Sequence, residues 1–331
     1  MNNDSVLFAY SRTKFHESKL IGAEKLNRIF SAKSCEDALK VLYETIYSEN
    51  AAITDCSKFA LLTNGEQNKL ISFFSEVCPD INVKACFLKQ FDYHNAKVFV
   101  KEKYSRSEGF DNLAKAYGLI DIKELKESIK NENYSNLPML MGQALSSIDI
   151  NYANYGINPR MWEIELDKAL YAEIATCAGK TRFKFVKDYF ILKTDIENLL
   201  TTVKCKILGL KTAHLGEQFL SGGSIELKEY ASSMNANVAN AAEPFKNTGI
   251  YELALNGFKN YNNDGITYFE READKILTNY FYQMRGEIET VYPLLNYYLK
   301  KQAEIKNINF IFSARLGGAD NEEIINRVTI L

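Results

Sequence analysis

The residues that could do chemistry are few and scattered. Gly179-Lys180-Thr181 ends like a phosphate-binding loop, but that motif needs glycine where the chain has Ile174. There is no GxGxxG, so neither nucleotide signature is complete. His16, His94 and His214 are the only histidines, too dispersed for a three-histidine metal site. None has Glu three residues before it, as a di-iron helix bundle requires. His214 and Glu217 form a single HxxE, read as a solvated helix end. No GxSxG elbow marks a nucleophile, and no DDxxD offers magnesium carboxylates. The reading is therefore of a non-enzyme with no catalytic residue, no cofactor, no metal and no bound nucleotide.

What does recur is an acid three residues before an asparagine. Asp92/Asn95 lie in FDYHNAKVFVKEKY (91–104), Asp195/Asn198 in TDIENLLTTVKCKILG (194–209), and Glu304/Asn307 in AEIKNINFIFSARLGG (303–318). Positions three apart share a helix face. Asp and Asn are poor mid-helix residues, so tertiary partners are expected to satisfy them. The acids stand 103 and 109 residues apart, and each phrase runs into an apolar stretch ending in Lys or Arg and a break. Near-equal spacing with matching flanks reads as a triplicated unit of about 110 residues, with repeats about 1–110, 111–225 and 226–331 in one functional unit.

Long helices must carry these phrases. Phe185, Tyr189, Leu192, Ile196, Leu199, Val203 and Ile207 form one stripe at steps of three and four, predicting a helix from about 182 to 210 that stops near Gly209. Leu294, Tyr298, Ile305, Ile308 and Phe312 predict another over about 291–316, with Pro293 in its first turn. Other helices are predicted at 22–31, 36–47, 64–76, 90–104, 121–130, 160–178, 246–257 and 267–286, with Ser34 as an N-cap. Connections are predicted at 151–159, 221–224 and 260–265. The segment 231–244 reads as a weak helix or a loop. Trp162 reads as a core anchor.

Composition agrees. Five prolines and 17 glycines in 331 residues are too few for an all-β chain, and 46% hydrophobic residues exclude wholesale disorder. The 40 Lys and Arg against 42 Asp and Glu argue against a nucleic-acid binder. The lysines between 180 and 211 read as a solvated face, or as a surface for an acidic partner. Cysteines at 35, 56, 78, 86, 177 and 205 make no CxxC pair and read as buried, reduced thiols of a cytoplasmic protein. No apolar run is long enough to span a bilayer, and the N-terminus lacks the order of a signal peptide.

The phrase FDYHNAKVFVKEKY, the stretch YYLKKQAEIKNINFIFSARLGGADNEEIINRV (297–328) and the early Tyr10-Ser11-Arg12 resemble the C subunit of bacterial and archaeal V-type and A-type ATPases, whose eukaryotic counterpart is the d subunit. Lys14 is a departure, since the family usually carries arginine there. The resemblance implies an all-α protein of three pseudo-threefold-related helical bundles forming a funnel with a central cavity. It implies a rotor component on the cytoplasmic face of the membrane, peripheral, joining the axle of D and F subunits to the proteolipid ring. Arg12, Asp92, Asn95, Asp195, Asn198, Glu304 and Asn307 are read as structural repeat positions. Axle and ring contacts are expected from loops 148–160, 221–225 and 258–266. The competing reading is a helical-repeat adaptor for an unrelated protein.

Overall fold

A computed structural model describes residues 3–105, 109–283, 290–319 and 324. Every regular element among them is helical: α1 (Asn3–Glu17), α2 (Ala23–Ser31), α3 (Cys35–Tyr43), α4 (Ala60–Val77), α5 (Ile81–Ser105), α6 (Ile122–Lys130), α7 (Met139–Tyr155), α8 (Pro159–Lys180), α9 (Lys184–Ile207), α10 (Thr212–Gln218), α11 (Leu227–Asn235), α12 (Tyr251–Lys259), α13 (Tyr261–Asp264), α14 (Ile266–Asn279) and α15 (Tyr292–Leu316), with short 3-10 turns between some of them. Among the described residues no helix is long and apolar enough to cross a membrane.

Local chemistry sets many boundaries. Ser34 Oγ accepts the Asp37 N–H at 3.0 Å and starts α3. Asn158 accepts from Met161 ahead of α8, with Pro159 at its first position. After α9, Gly209 takes φ +62, a conformation costly for a side chain, and the Leu210 N–H returns to the Cys205 carbonyl.

Several expectations need revision. The helix predicted at 90–104 begins nine residues earlier, because Asp80 Oδ1 accepts the N–H groups of Asn82 and Val83 and so starts α5 there. The connection predicted at 151–159 is helical through Tyr155. Only Gly156 to Asn158 join α7 to α8, and Gly156 has φ +77. The loop predicted at 260–265 contains the short helix α13. The predicted helix 267–286 is α-helical to Asn279 and 3-10 over Tyr280–Gln283; its last residues lie outside those described, as does part of 297–328. Cys35 and Cys56 are joined in a disulfide, whereas Cys78, Cys86, Cys177 and Cys205 are not disulfide-bonded. The expectation of six reduced thiols fails for two of them, because the fold brings their Cα atoms to 6.1 Å, within bonding reach.

The chain divides into two compact units, Met1–Pro79 with Thr267–Leu331, and Asp80–Ile266. In the first, α15 is the central helix and packs on α4, α1 and α3. Phe74 meets Tyr298 with ring centroids 4.6 Å apart, and Phe59 stacks on Phe312 at 5.2 Å. Burying such rings is the main stabilising term of a helical core. In the second unit α5 packs along α8. Lys89 pairs with Glu173, Lys97 with Asp167 and Lys101 with Glu163 at 2.5–2.6 Å. Rising numbers on α5 meet falling numbers on α8, so these pairs fix an antiparallel register. Trp162 is buried against Tyr104, centroids 5.2 Å apart.

Candidate functional site

The acid-x-x-Asn pairs face turns that begin nine-residue helices. On α5, Asn95 Oδ1 accepts the Lys115 N–H at 2.7 Å, and its Nδ2 donates to the Lys115 carbonyl at 2.8 Å. Asp92 Oδ1 accepts the N–H groups of Leu119 and Ile120 at 2.8 and 3.0 Å. On α9, Asn198 accepts the Leu220 N–H at 2.9 Å and donates to the Leu220 carbonyl at 3.0 Å. Asp195 accepts the N–H of Ser224, the Ser224 hydroxyl and the Ile225 N–H. The amide reads one residue's N–H and C=O together, and the carboxylate takes the donors just before the helix. Asp92, Asn95, Asp195 and Asn198 are all buried, so each would cost stability without these partners.

The aspartates reach their turns because glycine stands beside them. A Cβ on Gly118 would collide with Asp92 Oδ1, and one on Gly223 with Asp195 Oδ1. The clamped phrases are Gly118-Leu119-Ile120-Asp121 ahead of α6 and Gly223-Ser224-Ile225-Glu226 ahead of α11. Sequence reasoning missed these glycines, although Gly-x-Ile-acid is itself a repeated signal. It also missed Lys206, whose ammonium donates to the Met234 carbonyl at 2.8 Å and to that of Ala236, closing the far end of α11.

Glu304 on α15 clamps the corresponding turn, Leu20-Ile21-Gly22 ahead of α2. Its Oε2 accepts the Ile21 N–H at 2.6 Å. Lys19 occupies the glycine position; the extra methylene of Glu lets the carboxylate reach without so close a backbone approach. Around Glu304 lies a buried polar group absent from the sequence reading. Lys301 Nζ is 2.6 Å from Glu304 Oε1 and 3.0 Å from Glu66 Oε2. The Tyr47 hydroxyl donates to Glu304 Oε1 at 3.0 Å, and Asn50 Nδ2 donates to Glu66 Oε1 at 3.0 Å. Lys301 also sits 4.5 Å over the Tyr47 ring. Lys301, Glu304 and Glu66 are each 2% exposed, and burial together with the Glu304 charge pushes the Tyr47 hydroxyl well above its ordinary range. Asn307 is buried on the same helix.

The electrostatics of the first clamp differ in kind. Burial raises Asp92 from 3.8 to about 6, opposed by the hydrogen bonds from Ile120 and Leu119. Arg12 pairs with Glu76 on α4, its guanidinium 5.6 Å over the Phe73 ring. It therefore ties α1 to α4, a role different from that of the acid-x-x-Asn residues. His16 lies on Phe73 at 4.1 Å, and His94 Nε2 meets the Leu113 carbonyl at 2.9 Å. Among the described residues no group of three His, Cys, Asp or Glu forms a metal set.

Several large apolar side chains of the Asp80–Ile266 unit are exposed. Tyr155 is 82% exposed and Ile157 62% exposed at the α7–α8 turn, with Ile150 62% and Met139 71% along α7. An open groove of about 610 Å³ runs beside Met139 and Ile150, edged by Tyr134 and Leu137. Of the loops expected to meet partners, 221–225 is in part occupied, since Ser224 and Ile225 donate into Asp195.

A sequence model of the family described as ATP synthase (C/AC39) subunit matches residues 9–327. The chain is similar to the C subunit of the V-type sodium ATPase of Enterococcus hirae, 18% identical over 312 residues that cover 94% of each chain. It is similar also to the C subunit of the A-type ATP synthase of Methanococcoides burtonii, 24% identical over 87% of this chain and 78% of that one. The corresponding A-type ATP synthase C subunit of Methanosarcina mazei is 23% identical over 98% of this chain and 92% of its own.

Proposed function

Because the chain belongs to the ATP synthase (C/AC39) subunit family, we propose that it is a non-catalytic rotor component of a V-type or A-type machine, coupling the axle of D and F subunits to the membrane proteolipid ring. It sits on the cytoplasmic face of the membrane as a peripheral protein and turns with its neighbours. The family match along residues 9–327 is the observation that carries this reading. A torque coupler must resist deformation, which demands packed helices and well-satisfied buried polar groups rather than a reactive side chain.

In this reading the chain is one functional unit of three repeats, about 1–110, 111–225 and 226–331. Asp92, Asn95, Asp195, Asn198, Glu304 and Asn307 are their matching positions, with Arg12 bracing α1. Each long helix clamps the first helix of the repeat that follows, and α15 clamps α2. That cyclic order supports a pseudo-threefold funnel, in which no repeat has a free end. The axle or the ring is met through loops and exposed apolar groups, foremost the α7–α8 turn with Tyr155 and Ile157.

Co-purification tests the proposal. The tagged chain should retain the D and F subunits and the detergent-solubilised proteolipid ring. A Tyr155→Asp, Ile157→Asp double variant should lose at least one of these partners by about tenfold while melting as the wild type does. If the wild-type chain retains neither axle nor ring, the coupling role is overturned. If the double variant binds both normally, the α7–α8 assignment alone falls.

A further inference from the structure

The Cys35–Cys56 bond lies in the loop that supplies the Glu304 clamp. Cys35 opens α3, and Cys56 opens the 3-10 turn Cys56–Lys58 beside α4 and α15. The 21-residue span between them contains Tyr47, which donates to Glu304, and Asn50, which donates to Glu66 and to the Leu62 carbonyl. Asn50 also lies against α4 at Gly65, where any Cβ would stand 2.6 Å from its side chain. The segment is therefore held at both ends by one covalent bond and in its middle by the buried charges.

The two sulfurs are unequally accessible. Cys56 is 4% exposed, whereas Cys35 is partly open to solvent. The clamps of Asp92 and Asp195 have no cross-link near them, since Cys78, Cys86, Cys177 and Cys205 are not disulfide-bonded. A disulfide with one reachable sulfur is the kind that exchanges with small thiols.

We propose that Cys35–Cys56 is a reversible thiol–disulfide site that sets how firmly the Tyr47–Asn50 segment holds the Glu304 clamp. A low-molecular-weight thiol, as its thiolate, attacks Cys35 Sγ. The sulfur–sulfur bond breaks, and Cys56 leaves as a thiolate and takes up the proton. A second thiol resolves the mixed disulfide, returning Cys35 to the thiol and releasing the oxidised small-molecule disulfide. Two electrons and two protons pass from two small thiols to the protein, and the same small-molecule disulfide reverses the step. Reduction restores conformational freedom to the 35–56 loop, so Tyr47 and Asn50 leave Glu304 and Glu66 more often, and the Ile21 turn opens with them.

The test is run on the full chain in glutathione buffers from fully reduced to fully oxidised. Free thiols are trapped by alkylation and counted by peptide mass, and amide hydrogen exchange is read in parallel. Oxidised protein should protect Cys35 and Cys56 from alkylation. Reduction should speed exchange over residues 18–22 and 46–50 by about tenfold, while residues 118–120 and 224–225, held by the other clamps, stay within about twofold. Cys35→Ser should exchange at the reduced rate in every buffer. The proposal is overturned if both cysteines alkylate in oxidised glutathione. It is overturned as well by a lasting glutathione adduct on Cys35 in place of the bond, or by exchange over 46–50 that ignores the redox state.

Discussion

In the Asp80–Ile266 unit, Asp92 and Asp195 hold turns 27 to 30 residues downstream; in the other unit, Glu304 holds a turn 283 residues away. Closing the longer span costs roughly 2 kcal/mol more by chain-entropy scaling. The near clamps rest on neutral donors beside a glycine: backbone N–H groups at both, joined at Asp195 by the Ser224 and Tyr230 hydroxyls. The far one adds Lys301, Glu66, Tyr47 and Asn50, and a disulfide fixes the loop that bears two of them. The lesson is that one helix motif can be satisfied by two different chemistries. A short side chain demands a bare backbone, and a long one demands company for its buried charge.

Removing Lys301 should separate the two chemistries most sharply. Lys301→Met leaves buried Glu304 without its cation and Glu66 with only the exposed Lys69 at 3.4 Å, and should cost about 3–5 kcal/mol, read as a fall in the urea midpoint. Asn198→Leu strands the Leu220 N–H and carbonyl, for about 3 kcal/mol; an unchanged midpoint would show that water replaces the amide. Gly118→Ala should cost about 2 kcal/mol by overpacking against Asp92, whereas Lys19→Ala, at the matching position beside Glu304, should stay within about 0.5 kcal/mol. Equal effects at the two positions would break the contrast between short and long clamps.

A gentler probe is pH. Asp92 is raised in the folded chain from 3.8 to about 6, so the folded state holds its proton more tightly than the unfolded one. Its contribution is fully present below 3.8 and is lost as pH rises through about 6. Asp92→Asn keeps the acceptor oxygen and should flatten that part of the melting-temperature profile between about pH 4 and 6 relative to wild type. A profile identical to wild type would remove Asp92 as its source.

Helical character was plain in the sequence wherever one face is buried and the other wet, as on α9 with Leu199 and Val203 against Lys204. It was not plain on α7, where Met139, Ile150 and Tyr155 face solvent and blur the buried stripe of Met141, Ala144, Leu145 and Ile148. The acid-x-x-Asn pairs were legible as residues in need of partners, but the partners were not. Lys301 looked like one lysine among many, and only its burial distinguishes it.

The sequence by itself determined that the chain is helical, where α3 and α8 start, and that three helices carry a matched acid and amide. Those features depend on neighbours within a turn or two, which the order of residues specifies directly. Tertiary structure decided that Asp92 takes a glycine-fronted turn, that Glu304 takes the turn at Ile21, and that Cys35 finds Cys56. Such pairings depend on which distant segments packing brings within hydrogen-bond or covalent reach, and no local pattern encodes that distance.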